Sequence, residues 1–422
     1  MARKYWLGEA DAVAQVSSCA ISSYDVLTTY SISLGNASVS VIGAGGLNPT
    51  AVALAAAADA STHPYFEEVT WTDSGNTVIG TADDPGEPFD PVSGVSGGTG
   101  TIGAFSDTTA CESRHHWDVA ANWSDNAVPV NSDEVIVDKS DVSILWGLAQ
   151  SAVTLAYLSV TQNFTGKVGL DSRRFALSSD AETYEEDDPK AEYRDVYLQI
   201  GASIVEIGEN PGPSQPAGSP RIMLNLGSVA SQVEIFQTAS QPSELGLPVV
   251  RILANSSSTD IIVREAIGGV GVAVDAADET STIGDGDVSD LGTQTRVTLG
   301  EGVTWSNWRQ YGGTNRLRCA SGTPDLVIMG GVMRTEGDWN ADVLDAWAGV
   351  CYLNHTPSSG NQIATLNLHG GTCDWNETAT DRTVAALNWY AGGINADSEK
   401  VTFTAIDLNP DDTRYAGTLA KS

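Results

Sequence analysis

At 422 residues the chain has room for two or three domains or for one long repetitive body, and its 54 acidic against 21 basic residues leave a formal net charge of −33. Such a surface repels a phosphate backbone, so nucleic acid is excluded as an expected partner. With 18% charged and 41% hydrophobic residues, and with many Gly, Ser, Thr and Val, the composition fits an ordered, β-rich protein and not a disordered one.

The first residues carry Arg3 and Lys4 with no apolar run after them, and no stretch of 18 apolar residues occurs anywhere, so neither a secretion signal nor membrane insertion is expected. Residues 29 to 43 alternate as strands do, with Tyr30, Ile32 and Leu34 on one face and Val39 and Val41 resuming after Gly35-Asn36. Asn48-Pro49 then opens an Ala-rich helix, with Asn48 as cap, Pro49 at the first helical position, and Leu47 against Val52 as a hydrophobic staple. Thr70-Trp71-Thr72 and Thr77-Val78-Ile79-Gly80 form a second hairpin around Asp73 to Asn76. From Pro91 to Gly103 the Gly/Ser/Thr-rich sequence predicts a linker, and a domain boundary is placed there.

Beyond it lies a succession of short apolar strands, among them Val135–Val137, Val153–Val160, Ile222–Leu226, Ile261–Val263, Leu326–Met329, Val350–Leu353 and Val401–Ile406. Many intervals are about 20 to 35 residues, the range in which each coil of a solenoid stacks on the one before it. Two segments, 185–189 and 274–291, read as insertions projecting as loops. The expected fold is mainly β: an α+β module over 1–103, then a right-handed parallel β-helix over 104–422 with a capping segment near 112–137, the alternative being an array of β-sandwich domains.

The order of paired strands, Ala-rich helix, paired strands and the ending Pro85-Gly86-Glu87-Pro88-Phe89 resembles a small module of bacteriophage tail, fibre and baseplate proteins. Trp117-Asp118, Asn122-Trp123-Ser124 and Val128-Pro129, followed by Asp133 to Val137, resemble the capped opening of surface-exposed parallel β-helices. These resemblances imply a non-enzymatic virion structural protein (fibre, spike or capsid decoration), assembled in the host cytoplasm as a homotrimer and joined to other virion proteins through the module. Contact between copies is expected in the aromatic-rich segment from Trp305 to Tyr390.

The alternative is a tailspike depolymerase that cuts bacterial surface polysaccharide with paired carboxylates. Its strongest segment is Glu336 to Trp347, where Asp338, Trp339, Asp342 and Trp347 mix acids with indoles suited to a glycan or a partner. With 54 acidic residues such a cluster arises by chance, so no catalytic residue is nominated. Asp275, Asp278, Glu279, Asp285, Asp287 and Asp290 crowd together as calcium ligands could, without EF-hand spacing. His115 and His116 lie beside Cys111, Glu112 and Asp118, but adjacent side chains diverge on a strand, so no metal site is assigned. His369 and Cys373 read as turn residues flanking Gly370-Gly371. The five cysteines lack a Cys-x-x-Cys pair, no phosphate-binding or dinucleotide motif sits between a strand and a helix, and no cofactor is expected.

Overall fold

The computed structural model describes residues 2–170, 196–209, 218–236, 249–264, 271–274, 281–289, 295–300, 303–317, 325–335, 340–353, 363–375, 382–396 and 401–408. The protein is mainly β, with a small α+β module near the N-terminus and a parallel β-solenoid as its body. Two ladders of parallel strands run along the solenoid. The main one extends from Glu134–Val137 to Val401–Leu408, and the second from Lys167–Val168 to Gly393–Asn395. Sandwich domains are built from antiparallel sheets, so the parallel pairing throughout the body decides between the two expected architectures.

In-register stacking makes one inward position a column of like residues. Leu326 pairs with Leu344, Leu344 with Leu366 and Leu366 with Leu387, and all four are buried. A strand of four residues buries only two side chains, as in Asp325–Ile328, so no single coil has a core of its own; the core exists because coils stack. Among the described residues the coils between the two ends contribute a strand to both ladders, of which the apolar pattern commonly marks one. The span 274–291, expected as a projecting loop, holds the ladder strand Asp285–Val288. Gly286 faces inward there, and a Cβ on it would overlap the ring of Trp308 in the next coil. The insertion at 185–189 lies outside the described residues.

Glycine turns the chain from the main ladder to the second. Gly313, Gly331, Gly349, Gly371 and Gly392 occupy the same corner of successive coils, all with φ between 71° and 92°. A Cβ on any of the last four would also come within 3.0 Å of the carbonyl oxygen of the glycine one coil earlier. Conformation and close approach both demand glycine.

The solenoid's first end is closed by two segments far apart in sequence. Arg3–Tyr5 adds to the main ladder, parallel to Glu134–Ile136. Trp6, Trp117 and Trp123 bury their rings over the core, with Trp123 edge-on to both neighbours at centroid distances of 5.2 and 4.7 Å. The Trp6 indole donates to the Val142 carbonyl and the Trp123 indole to that of Trp117. Buried Lys4 donates to Asp125 at 2.7 Å and to the Ala127 carbonyl at 3.0 Å, so its charge is compensated. Asn122 accepts the Ala10 amide and donates to the carbonyls of Ser113 and His116.

The α+β module is inserted between these two capping segments. Its hairpin Thr29–Leu34 and Ala37–Ile42 buries Tyr30, Ile32 and Leu34 on one face. The helix spans Leu47–Asp59 and buries Ala51, Leu54, Ala55 and Ala58. Its N-cap is Gly46 and not Asn48, with the Thr50 hydroxyl donating to the Gly46 carbonyl; Val52 points outward, so the staple with Leu47 does not form. Residues 91–103, expected as a linker, carry strands instead: Pro91–Ser96 pairs with Thr29–Leu34, and Thr101–Ile102 with the end of Val16–Ser23. Hydrogen bonding to the hairpin outweighs the flexibility that composition suggested. The module joins the body where Val13 and Glu112 bridge.

Candidate functional site: an exposed ring ladder at one corner

The residue two positions before each corner glycine forms a column on the solenoid's outside. Tyr311, Met329, Trp347, His369 and Tyr390 follow one another coil by coil, each donating its amide to the ladder residue below. Trp347 is 48% exposed, and Tyr311, Met329 and Tyr390 are each more than one-third exposed. The His369 ring stacks on Trp347 at 3.8 Å, with 10° between planes, and on Tyr390 at 4.6 Å, with 6°. Two residues before that column runs a polar one in which Asn388 donates to Asn367 at 2.7 Å and Asn367 to Asp345 at 2.6 Å.

Aromatic enrichment of the C-terminal third thus divides by register. Trp305, Trp308, Trp375 and Trp389 fill coil interiors, whereas Tyr311, Trp347 and Tyr390 face out. His369 stands at a turn, as expected, and Cys373 does not: it is buried in the strand Thr372–Asp374, directly opposite Cys351. Of the four residues expected at a binding site, Trp347 and Asp342 are both exposed near the ends of one coil segment, roughly 17 Å apart at strand rise. Asp338 and Trp339 lie outside the described residues. Met329 and His369 were not among the residues expected at a binding site, although the repeated pattern of a bulky residue, Gly or Ala, then Gly marks all five positions.

Stacking fixes what this surface can do. Both faces of His369 are covered, so the ladder's middle presents ring edges, with an open face only at its ends. A ligand that lies along the stack, contacting edges and the Asn/Asp column at the strand spacing of about 4.8 Å, matches this geometry better than a single sugar on one ring face.

Other polar groups are committed elsewhere. Asp285 accepts from Asn307 at 2.7 Å and Asp287 from Ser289 at 2.6 Å, so these two of the six crowded acids are spent on neighbouring side chains; Asp275, Asp278, Glu279 and Asp290 lie outside the described residues. Among the described residues no group of three or more His, Cys, Asp or Glu is placed to hold a metal. His115 turns to the Ser143 carbonyl, while His116 contacts the Gly86 carbonyl, Asp118 and Cys111 at the junction of module and cap. Burial pulls His116 down, but Asp118, Cys111 and Gly86 together outweigh it and raise its pKa to about 9. Glu206 and Glu209 share a hydrogen bond that raises Glu209 to about 7, and the Tyr157 hydroxyl donates to Glu206.

Fold and site together define a parallel β-solenoid with an α+β module inserted in its first coil and a ring ladder on its flank. Comparison with known proteins finds no matching family model, no matching curated protein and no matching solved structure.

Proposed function

We propose that the chain is a non-enzymatic structural protein of a bacteriophage particle, a fibre, spike or decoration assembled in several copies, with three about one axis as the expected number. The module joins other virion proteins, and the solenoid projects with its ring ladder available to a linear ligand such as a host surface glycan. The single observation behind this reading is the position of the module. Entering and leaving through the bridged pair Val13 and Glu112, it sits at the capped end of the ladder and leaves the flank clear.

The test is binding and turnover on host glycan by particles and by the purified chain. The protein is expected in washed particles, with retention on host polysaccharide that weakens at least tenfold in Trp347→Ala and no new reducing ends. Release of unsaturated or reducing products would make the protein a depolymerase, and its absence from washed particles would remove the virion role.

A further inference from the structure

The module has one end at the solenoid and one far from it. Strand Val16–Ser23 leaves the junction and ends at the turn 24–28, where Val26 is 59% and Leu27 74% exposed. Ile42, paired with Thr29 beside that turn, is 64% exposed. The turn is held in place: the Asp25 carboxylate accepts the Leu27 and Thr99 amides, which keep it below the usual carboxylate range, and the Thr99 hydroxyl also donates to it.

Beside this apolar tip lies an open sheet edge. Ala37–Ile42 pairs with Thr29–Leu34 on one side and, among the described residues, with no strand on the other. Natural edges are usually guarded by Lys, Pro or an inward charge, and Ala-Ser-Val-Ser-Val-Ile has none of these. The wider region is equally bare: between residues 12 and 58 the only charged side chain is Asp25, and residues 91–106 contain none, in a chain of net charge −33.

We infer that this uncharged tip and edge bind a second copy of the same chain. The inference rests on the multi-copy reading above, and because one edge meets its own copy only about a two-fold axis, it sets two chains in place of the expected three. Two chains of this charge can approach only where carboxylates are not brought face to face, and at physiological salt only charges within roughly 8 Å matter. The module's far end is such a place. Edge-to-edge strand addition supplies directed hydrogen bonds, and Val26, Leu27 and Ile42 supply the apolar surface that burial rewards.

Sedimentation of the full-length chain tests this, with circular dichroism reporting the fold. Wild type, Ser40→Thr and Trp347→Ala should sediment as the same multimer, whereas Leu27→Asp/Ser40→Asp, altered only at exposed positions, should sediment as a single chain with an unchanged spectrum. A double variant that keeps the wild-type mass overturns the inference. If Trp347→Ala then separates the copies, assembly itself stands and runs through the ring ladder. A wild-type chain that is single at every concentration overturns both, while retention on host glycan is measured independently of either.

Discussion

The most constrained residues are the corner glycines. At Gly349 a methyl group would meet both a left-handed backbone, φ 81°, and the carbonyl of Gly331, whereas at Gly45, φ 92°, it would meet the backbone preference alone, with nothing within 4 Å. The left-handed backbone costs a non-glycine residue about 1–2 kcal/mol. Gly349→Ala is therefore expected to lose at least about 2 kcal/mol of stability and Gly45→Ala clearly less, read from denaturant midpoints. Equal losses would mean that the stacked carbonyl does not matter. His116 makes stability depend on pH. Its folded pKa of about 9 lies above its ordinary 6.5, so the imidazolium stabilises the fold fully below about pH 6.5 and that contribution fades as pH rises to about 9. Wild type should lose melting temperature across that window, and His116→Gln should lose markedly less of it. Parallel curves would show that other groups carry the dependence.

Among elements, those with local signals were legible. Tyr30, Ile32 and Leu34 announced their hairpin by alternation, and the body's repeating short strands announced stacking. Val16–Ser23 was silent because its inward residues are Ser17, Cys19 and Ile21, which show no apolar alternation. Arg3–Tyr5 was silent because its partner lies about 130 positions along the chain, at Glu134–Ile136. Of the ring ladder, Trp347 was legible as an indole among acids; its stacking on His369 was hidden because corners recur at unequal spacing, with residues 311, 329, 347, 369 and 390 at the equivalent position. The capping strand changes how the chain can be cut. Removing residues 1–103 takes Lys4 and Trp6 with the module and bares the edge of Glu134–Val137, so aggregation is expected. Replacing residues 14–111 by a short Gly-Ser link, which the bridge between Val13 and Glu112 permits, should leave a soluble solenoid with its β circular dichroism intact. Soluble, folded material from both deletions would show that the N-terminal strand is dispensable to the cap.

Over the whole molecule, charge and architecture act together. A chain at −33 resists association until salt screens it, and the screening length falls from about 30 Å at 0.01 M to about 8 Å at 0.15 M. Assembly is therefore expected to strengthen with salt over that range; light scattering that shows multimers dissolving instead would point to an interface held by ion pairs. On the function proposed above, the module end is fixed to the particle and the solenoid points away from it. Successive strands of the main ladder, spaced about 4.8 Å, carry it roughly 50 Å from Glu134–Val137 to Val401–Leu408. The direct measurement is a cryo-EM reconstruction of intact particles carrying an antibody fragment raised against the Trp347 to Tyr390 flank. Module density in contact with the particle surface, with the fragment bound to the coils that extend outward, is the predicted result; the flank lying against the particle and the module pointing outward, or no density at all for this chain, would contradict it.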